Sequence, residues 1–429
     1  MSRLFATRTV ALGAVAAVAL AAAAVPAGAT APAADPGVSA TQIVIGTTTP
    51  LTGPASPGYK DVAPAAQAYF NYVNANGGIN GRKIKYVVKD DQYNPAKTKA
   101  ATSELILRDK IFAMFGALGT PPHSAVVADL NRRGIPDVFV NTGAASFDNP
   151  QKYPMTFPYF PSYIVEAKVM ASYIQKDAAL NAKKKCLFYQ DGEFGDNALV
   201  GFNAAGLKFD TTVSYFSGQQ AAPFTAQVTK MKSAGCELVV FFGVTSATAQ
   251  LLGTSAKAAF RPTWMVTSVG SDPSVLGSSL GAATNQLLAG MYAPSFLVPI
   301  QDETNAYVAQ MKVIATKNNL PWNFYTYYGI NTAYVLAQAL KAAGPNLTRA
   351  GLVNALQTKA NTFRSAAVVP MLESPRSHQG LTGYWMGQYN GNGQLERKTS
   401  YVLLATSSSS GAARTGAFRP AGPTPKLLP

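Results

Sequence analysis

Residues 111–146, IFAMFGALGTPPHSAVVADLNRRGIPDVFVNTGAAS, constrain the fold more than any other stretch of the chain. The apolar run 111–115 predicts a strand that is buried on both faces. Apolar residues at helical spacing over 124–133 predict a helix, and Gly134 ends it. The second apolar run, 135–140, predicts another strand. This order predicts a βαβ unit with parallel strands and a right-handed crossover.

Both predicted strands lead into loops of small and hydroxyl-bearing residues, at 116–122 and 141–146. In a parallel sheet the two loops lie at the same edge. Ligands of open α/β sheets bind there, because loop amides and helix N-termini point outward. The segment therefore predicts one half of a binding cleft.

Alternating strands and helices continue on both sides of this unit and indicate an α/β protein with doubly wound sheets. About 390 residues follow the leader segment, more than one core usually holds, so two lobes are predicted. Strands are predicted at 41–48, 84–90, 186–190, 212–216, 238–243 and 263–267. Helices are predicted at 63–74, 95–107, 164–176, 197–205, 224–234, 247–259, 303–318, 327–342 and 349–360. A final antiparallel pair is predicted at 383–389 and 396–404, and the Ser-, Gly- and Pro-rich tail 406–429 is predicted to be disordered.

The N-terminal residues 1–34 have the pattern of a secretory signal peptide. Arg3 and Arg8 precede an Ala-rich apolar run, and small residues around Ala29 offer a cleavage site. An uncleaved membrane anchor is the alternative, although so Ala-rich a run is a weak membrane span. Export to a periplasm or cell envelope is therefore expected. A lipid anchor is not expected, because no Cys stands directly after the apolar run to carry a lipid at the mature N-terminus.

Formal net charge is +15, and the basic residues are scattered without an aromatic-basic stripe. This pattern favours a solvated surface over nucleic-acid binding. The two cysteines, Cys186 and Cys236, each stand at the start of a predicted strand. In a doubly wound sheet those strands are parallel neighbours, so export would allow a disulfide between them. Two buried free thiols remain the alternative.

Signatures of enzymes are missing: no nucleophile, metal-ligand or phosphate-loop motif occurs in the required context. His123 and His378 are far apart in the sequence; His123 is expected to be a polar residue at a helix start and His378 to face solvent. Asp90 and Asp91 point to opposite faces of a strand, which favours a structural role. The aromatic patch 324–328 favours helix packing over a ligand surface. No enzyme activity, cofactor or metal site is predicted.

The chain resembles the branched-chain amino-acid-binding (Leu/Ile/Val-binding) family of type I periplasmic solute-binding proteins over about 41–405. The motifs that carry this resemblance are IVIG at 43–46 with PLTG at 50–53, NGGING at 76–81, DDQ at 90–92 with Pro95, and DGEFG at 191–195. The resemblance implies two lobes joined by a three-strand hinge. Lobe I would comprise 40–160 and 293–371, and lobe II 161–292 and 372–405. It also implies a monomer that takes a small-molecule ligand to an ABC permease.

Ten ligand-binding residues are implied by the resemblance, and they are Leu118, Gly119, Thr120, Thr142, Gly143, Ala144, Ala145, Phe194, Thr245 and Val269. Thr120 stands where a serine of the family holds the ligand carboxylate. Ala145 replaces a threonine that meets the ammonium, and Val269 replaces an acidic residue that pairs with it. Phe194 stands where tyrosine is common, and Asp272 is the substitute acid in a shifted alignment.

A buried ammonium without a carboxylate partner costs several kcal/mol. These replacements therefore predict a small apolar or aromatic ligand, with a carboxylate as its possible polar group, in place of a simple α-amino acid. Two alternatives stay open: amino-acid binding with a shifted ammonium site, and a ligand-sensing module of the same fold.

Overall fold

Two β-sheets organise the computed structural model of the protein, which describes residues 35–219 and 222–418. The strands are β1 (Gln42–Thr49), β2 (Lys83–Asp90), β3 (Ala113–Phe115), β4 (Asp137–Val140), β5 (Thr156–Pro158), β6 (Lys185–Gln190), β7 (Thr211–Tyr215), β8 (Leu238–Phe242), β9 (Thr263–Val266), β10 (Tyr292–Ser295), β11 (Gly383–Tyr389), β12 (Leu395–Arg397), β13 (Val402–Leu404) and β14 (Arg414–Gly416). The predicted signal peptide, 1–34, lies outside the described residues.

The α-helices lie between and beyond these strands. They are α1 (Val62–Ala75), α2 (Pro95–Leu107), α3 (Thr120–Ser124), α4 (Val127–Arg132), α5 (Tyr163–Lys176), α6 (Ala178–Asn181), α7 (Glu193–Ala204), α8 (Thr225–Ser233), α9 (Thr245–Lys257), α10 (Pro273–Leu280), α11 (Thr284–Leu288), α12 (Ala306–Lys317), α13 (Phe324–Ala342) and α14 (Arg349–Lys359). No helix in the described part of the chain is long and apolar enough to span a bilayer.

The two sheets share one strand order. Sheet I is parallel and runs β2-β1-β3-β4-β5. Sheet II begins with the equivalent parallel order β7-β6-β8-β9-β10, and antiparallel β11 extends it. This is a doubly wound order. The predicted fold class, two doubly wound α/β lobes, is confirmed.

The chain passes between the lobes three times. The first crossing lies between β5, the last strand of sheet I, and α5, which packs on sheet II. The second lies between β10 of sheet II and α12, which packs on α1 in lobe I. The third lies between α14, which packs on α13 in lobe I, and β11 of sheet II. The crossings therefore lie in 159–162, 296–305 and 363–382. Residues 293–295 were predicted to belong to lobe I, but they belong to β10. Pro294 argues against a strand, and it is tolerated because Tyr292 is the only residue of β10 that pairs with β9.

Two predicted elements are divided in the structure. The helix predicted at 124–133 is the pair α3 and α4, because Val126 leaves the helical region with φ −128°. The strand predicted at 396–404 is the pair β12 and β13. Between them, the Thr399 hydroxyl accepts the hydrogen bond from the Met386 amide at 3.2 Å, in place of a backbone carbonyl.

Disorder of the tail was predicted wrongly for residues 406–418. Lys168 on α5 is 1% exposed, and its ammonium donates to the carbonyls of Thr406, Ser408 and Ser410 at 2.8–2.9 Å. These bonds replace the water that the buried ammonium loses. They hold the segment against α5, and β14 then pairs with β13. Residues 419–429 lie outside the described part.

The predicted disulfide is present. Cys186 and Cys236 are bonded, with their Cα atoms 5.8 Å apart. In the parallel pairing of β6 with β8, Cys186 lies opposite Val239, and Cys236 precedes β8 by two residues, as the parallel-neighbour argument required. The bond therefore fastens two neighbouring strands of sheet II.

Candidate functional site

Loops at the carboxyl ends of strands from both sheets enclose a cavity of about 30 Å³ between the lobes. Eight of its thirteen described lining residues are aromatic. The lining comprises Tyr59, Tyr93, Leu118, Gly119, Asn141, Phe160, Tyr163, Phe194, Val244, Val269, Phe324, Tyr325 and Tyr328. A typical small-molecule site has about 300–1,000 Å³. This closed form is therefore filled largely by its own rings.

The loops after β3 and β4 form the lobe I wall of the cavity. Leu118 and Asn141 form a parallel bridge that carries the sheet one step beyond its strands. Gly119 follows with φ 99°, where a side chain would collide with the ring of Tyr93. Its backbone conformation therefore requires glycine. The Asn141 side chain has no hydrogen-bond partner among residues 35–219 and 222–418, so its amide is available to a ligand.

A chain of hydroxyls lies behind this wall. The Thr120 and Thr142 hydroxyl oxygens are 2.6 Å apart, and the Thr142 hydroxyl donates to the Tyr163 hydroxyl at 3.2 Å. All three side chains are buried. Burial raises the pKa of Tyr163 to about 12, so its hydroxyl stays neutral. The network offers neutral donors and acceptors only.

The backbone carbonyl of Val269 connects the two lobes. It accepts a hydrogen bond from Tyr59 at 3.1 Å and lies 3.0 Å from the hydroxyl of Tyr325, both of lobe I. The Thr245 hydroxyl of lobe II lies 3.2 Å from the same carbonyl and also shares a hydrogen bond with the Tyr325 hydroxyl, so one of these two hydroxyls donates to the carbonyl and the other donates to its neighbour. Three hydroxyls thus converge on one oxygen at the closed interface.

A second set of contacts closes the opposite side of the cleft. The Ala145 amide donates to the Asn197 side chain at 2.7 Å. The amide and hydroxyl of Ser146 both donate to the Glu193 carboxylate at 2.9 Å. The rings of Tyr163 and Phe194 are 4.4 Å apart. We call the bonds of Ala145 and Ser146 to α7 the rim latch.

None of the described lining residues is charged. Two buried acids beside the lining residues hold the fold together. Asp272 accepts from the Val275 amide at 2.9 Å, which caps α10, and from the Phe324 amide at 2.8 Å. Glu166 accepts from Ser268 and Thr267 at 2.6–2.7 Å. Asp272 was the candidate substitute for the missing ammonium partner, but its oxygens are already occupied.

The structure separates the ten predicted site residues into two groups. Leu118, Gly119, Phe194 and Val269 line the cavity. The others are not in its lining: Thr120, Thr142 and Thr245 are bonded behind it, Gly143 packs on Tyr163, and Ala144 and Ala145 lie beside the rim.

Sequence reasoning missed most of the aromatic lining. The patch 324–328 was assigned to helix packing, yet Phe324, Tyr325 and Tyr328 line the cavity. Its position at the N-terminus of α13 was the available signal, because a helix start can face a cleft edge. Tyr59 and Tyr93 follow β1 and β2 and carried no such signal.

The remaining polar candidates are structural. His123 is buried and its Nε2 lies 2.7 Å from the Asp137 carboxylate. His378 was predicted to face solvent, but it is buried and stacks on Phe157 at 3.9 Å; burial lowers its pKa. Asp90 accepts from the amides of the 51–52 loop. Within the described ranges, no group of three or more His, Cys, Asp and Glu side chains could hold a metal.

The family model described as "Periplasmic binding protein" matches residues 42–394, which span both sheets and the cavity between them. The chain belongs to this family. The predicted resemblance to Leu/Ile/Val-binding members is confirmed by curated relatives. One is the Leu/Ile/Val-binding protein homolog 3 of Brucella melitensis, 29% identical over 220 residues, which are 47% of this chain and 54% of the relative. That match thus spans about half of the relative's length.

Solved structures of the family share the fold. A fatty acid ABC transporter substrate-binding protein from Thermomonospora curvata has a TM-score of 0.73 at 21% identity, covering 90% of this chain and 98% of that one. A branched chain amino acid ABC transporter protein from Thermus thermophilus, with bound valine, has a TM-score of 0.72 at 19% identity, covering 84% and 96%. Identities this low support the shared architecture alone.

Proposed function

We propose that the protein is an exported solute-binding protein that captures a small ligand between its lobes and delivers it to an ABC importer in the membrane. The cavity carries this proposal, because residues of both lobes line it and hydroxyls from both lobes meet on the Val269 carbonyl. Closure by a hinge buries such a ligand. The protein acts as a monomer, without enzyme activity or cofactor.

The ligand is a small apolar or aromatic solute, not a simple α-amino acid. Eight aromatic rings supply apolar area, and the uncharged lining offers an ammonium no carboxylate partner within the described residues. Leaving that charge unpaired costs several kcal/mol. A carboxylate can be held as the polar group by the Asn141 amide and neighbouring hydroxyls.

A thermal-shift panel tests the ligand class. Leucine, valine and phenylalanine are compared with phenylacetate, benzoate and octanoate, each added to the mature protein after unfolding and refolding to remove any co-purified ligand. Binding to the folded state raises the midpoint of unfolding, so we expect shifts with the acids and none with the amino acids. Micromolar binding of leucine or valine would contradict the proposed class. Binding of no solute would argue against ligand capture itself.

Closure by the rim latch gives a second prediction. Asn197→Ala removes the acceptor of the Ala145 amide, a bond worth about 1 kcal/mol. The lobes should open more readily, and ligand affinity should fall about fivefold. Small-angle scattering of the ligand-free variant should give a larger radius of gyration. Asn203→Ala, on the same helix away from the rim latch, is the matched control and should match wild type in both measurements.

A further inference from the structure

A second cavity of about 50 Å³ lies next to the first. It is bounded by the crossing segment through Val298 and Ile300, by α13 through Tyr327, and by β11 through Trp385 and Tyr389. The cavity therefore also lies where the lobes meet, on the side of the 296–305 crossing.

Phe324 lies between the two cavities, since it lines both. Adjacent residues continue this division: Val269 lines the first cavity and Ser268 the second, while Tyr328 lines the first and Tyr327 the second. The Phe324 ring is only partly buried. Its backbone amide is fixed to Asp272, and its ring contacts three other aromatic rings, with centroids 5.8–6.1 Å away. A change of rotamer would connect the cavities.

The chemistry of the two cavities differs. The first holds two unused polar groups, the Asn141 amide and the buried Tyr328 hydroxyl, which lacks a partner in the described residues. The second is walled mainly by proline, aliphatic and aromatic side chains, and its one acid, Asp272, is occupied by backbone amides. Its one buried hydroxyl without a partner in the described residues is that of Tyr327. The first cavity thus offers a ligand two unused polar groups, and the second offers one in a mainly apolar wall.

We propose that the two cavities form one elongated binding site divided by Phe324. Its ligand is an amphipathic solute whose polar end bonds Asn141 and Tyr328 and whose unbranched apolar chain passes Phe324 into the second cavity. This inference rests on the proposed function and specifies the ligand class of the same site. When the ligand binds, the Phe324 ring is displaced, and the apolar chain of the ligand then extends from the first cavity into the second.

The test measures how affinity depends on chain length. Butanoate, hexanoate and octanoate are titrated calorimetrically into wild type and Ile300→Trp, which fills the second cavity. Each methylene that becomes buried should tighten binding by about threefold to fourfold, so wild-type affinity should rise steadily with length. In Ile300→Trp the rise with chain length should stop.

Two controls keep the outcomes separate. Val313→Trp adds the same side chain at an exposed position of α12, and it should retain the wild-type length dependence. Ile300→Ala should keep the rise, because the cavity stays open. Acids that bind with no dependence on length, or a rise that persists in Ile300→Trp, would overturn the elongated site and leave ligand capture standing. If none of the acids and none of the amino acids binds wild type, the proposed function itself fails.

Discussion

Removal of the Cys186–Cys236 disulfide should lower the free energy of unfolding by about 4 kcal/mol, because the bond closes a loop with a sequence separation of 50. The cross-link limits the conformations of the unfolded chain. In the folded state it joins β6 to the residues just before β8, its neighbour in sheet II. The loss should therefore fall on lobe II.

Denaturant unfolding of wild type and of the double variant Cys186→Ala, Cys236→Ala measures this loss. Wild type under reducing conditions is the control for small packing losses at the two buried sites, and it should unfold like the variant. Near-identical midpoints of the oxidised protein and the variant would contradict the prediction. Two reactive thiols in the denatured, unreduced protein would show that the bond does not form.

The sheet order was predictable because its signals are local. Short apolar runs separated by helical spacing indicate parallel strands, and β3, α4 and β4 follow the βαβ unit predicted from 111–146. The helix boundaries within this unit could not be predicted from the sequence. Pro121 and Pro122 favour a first helical turn, so α3 begins at Thr120, and the sequence pattern gave no sign of the break at Val126.

The tail shows why long-range contacts escaped prediction. The amino-acid composition from 406 onward favoured disorder, and no neighbouring sequence pattern predicted an ordered structure. Lys168 lies more than 200 residues earlier, and its buried ammonium is satisfied by the tail's carbonyls. Such pairing depends on the folded arrangement of α5 and β13, which no local pattern encodes.

In the candidate site, too, the residues that follow a local sequence pattern were predicted and those brought together by long-range contacts were not. The wall formed by Leu118 and Gly119 follows directly from a strand end and was predicted. Tyr59 and Tyr325 reach the cavity from elements separated by more than 200 residues, and their common partner is a backbone carbonyl, that of Val269. A backbone acceptor has no residue type, so no motif could identify it.

Glu166→Ala should lower the free energy of unfolding by about 3 kcal/mol and weaken lobe closure. The Glu166 carboxylate is fully buried and accepts from the Ser268 amide, from the Thr267 and Ser268 hydroxyls, and from the Tyr384 hydroxyl. Removing it leaves buried donors without partners, each costing about 1–3 kcal/mol unless water enters. The loop that presents the Val269 carbonyl should lose its position, so ligand affinity should fall with stability.

Glu166→Gln separates the role of the hydrogen bonds from that of the charge. The amide oxygen still accepts from Ser268 and Thr267, so stability at neutral pH should stay within about 1 kcal/mol of wild type. Burial raises the pKa of Glu166 above its ordinary value of 4.5, so the folded protein binds this proton more tightly than the unfolded chain does. Wild-type stability should therefore fall as pH rises from about 4.5 towards the raised pKa. Glu166→Gln should lack this loss of stability with pH. Its unfolding free energy minus that of wild type should therefore increase as pH rises from about 4.5 towards the raised pKa. If the unfolding free energy of the variant minus that of wild type decreases with rising pH, the hydrogen bonds to the carboxylate lower its pKa more than burial raises it.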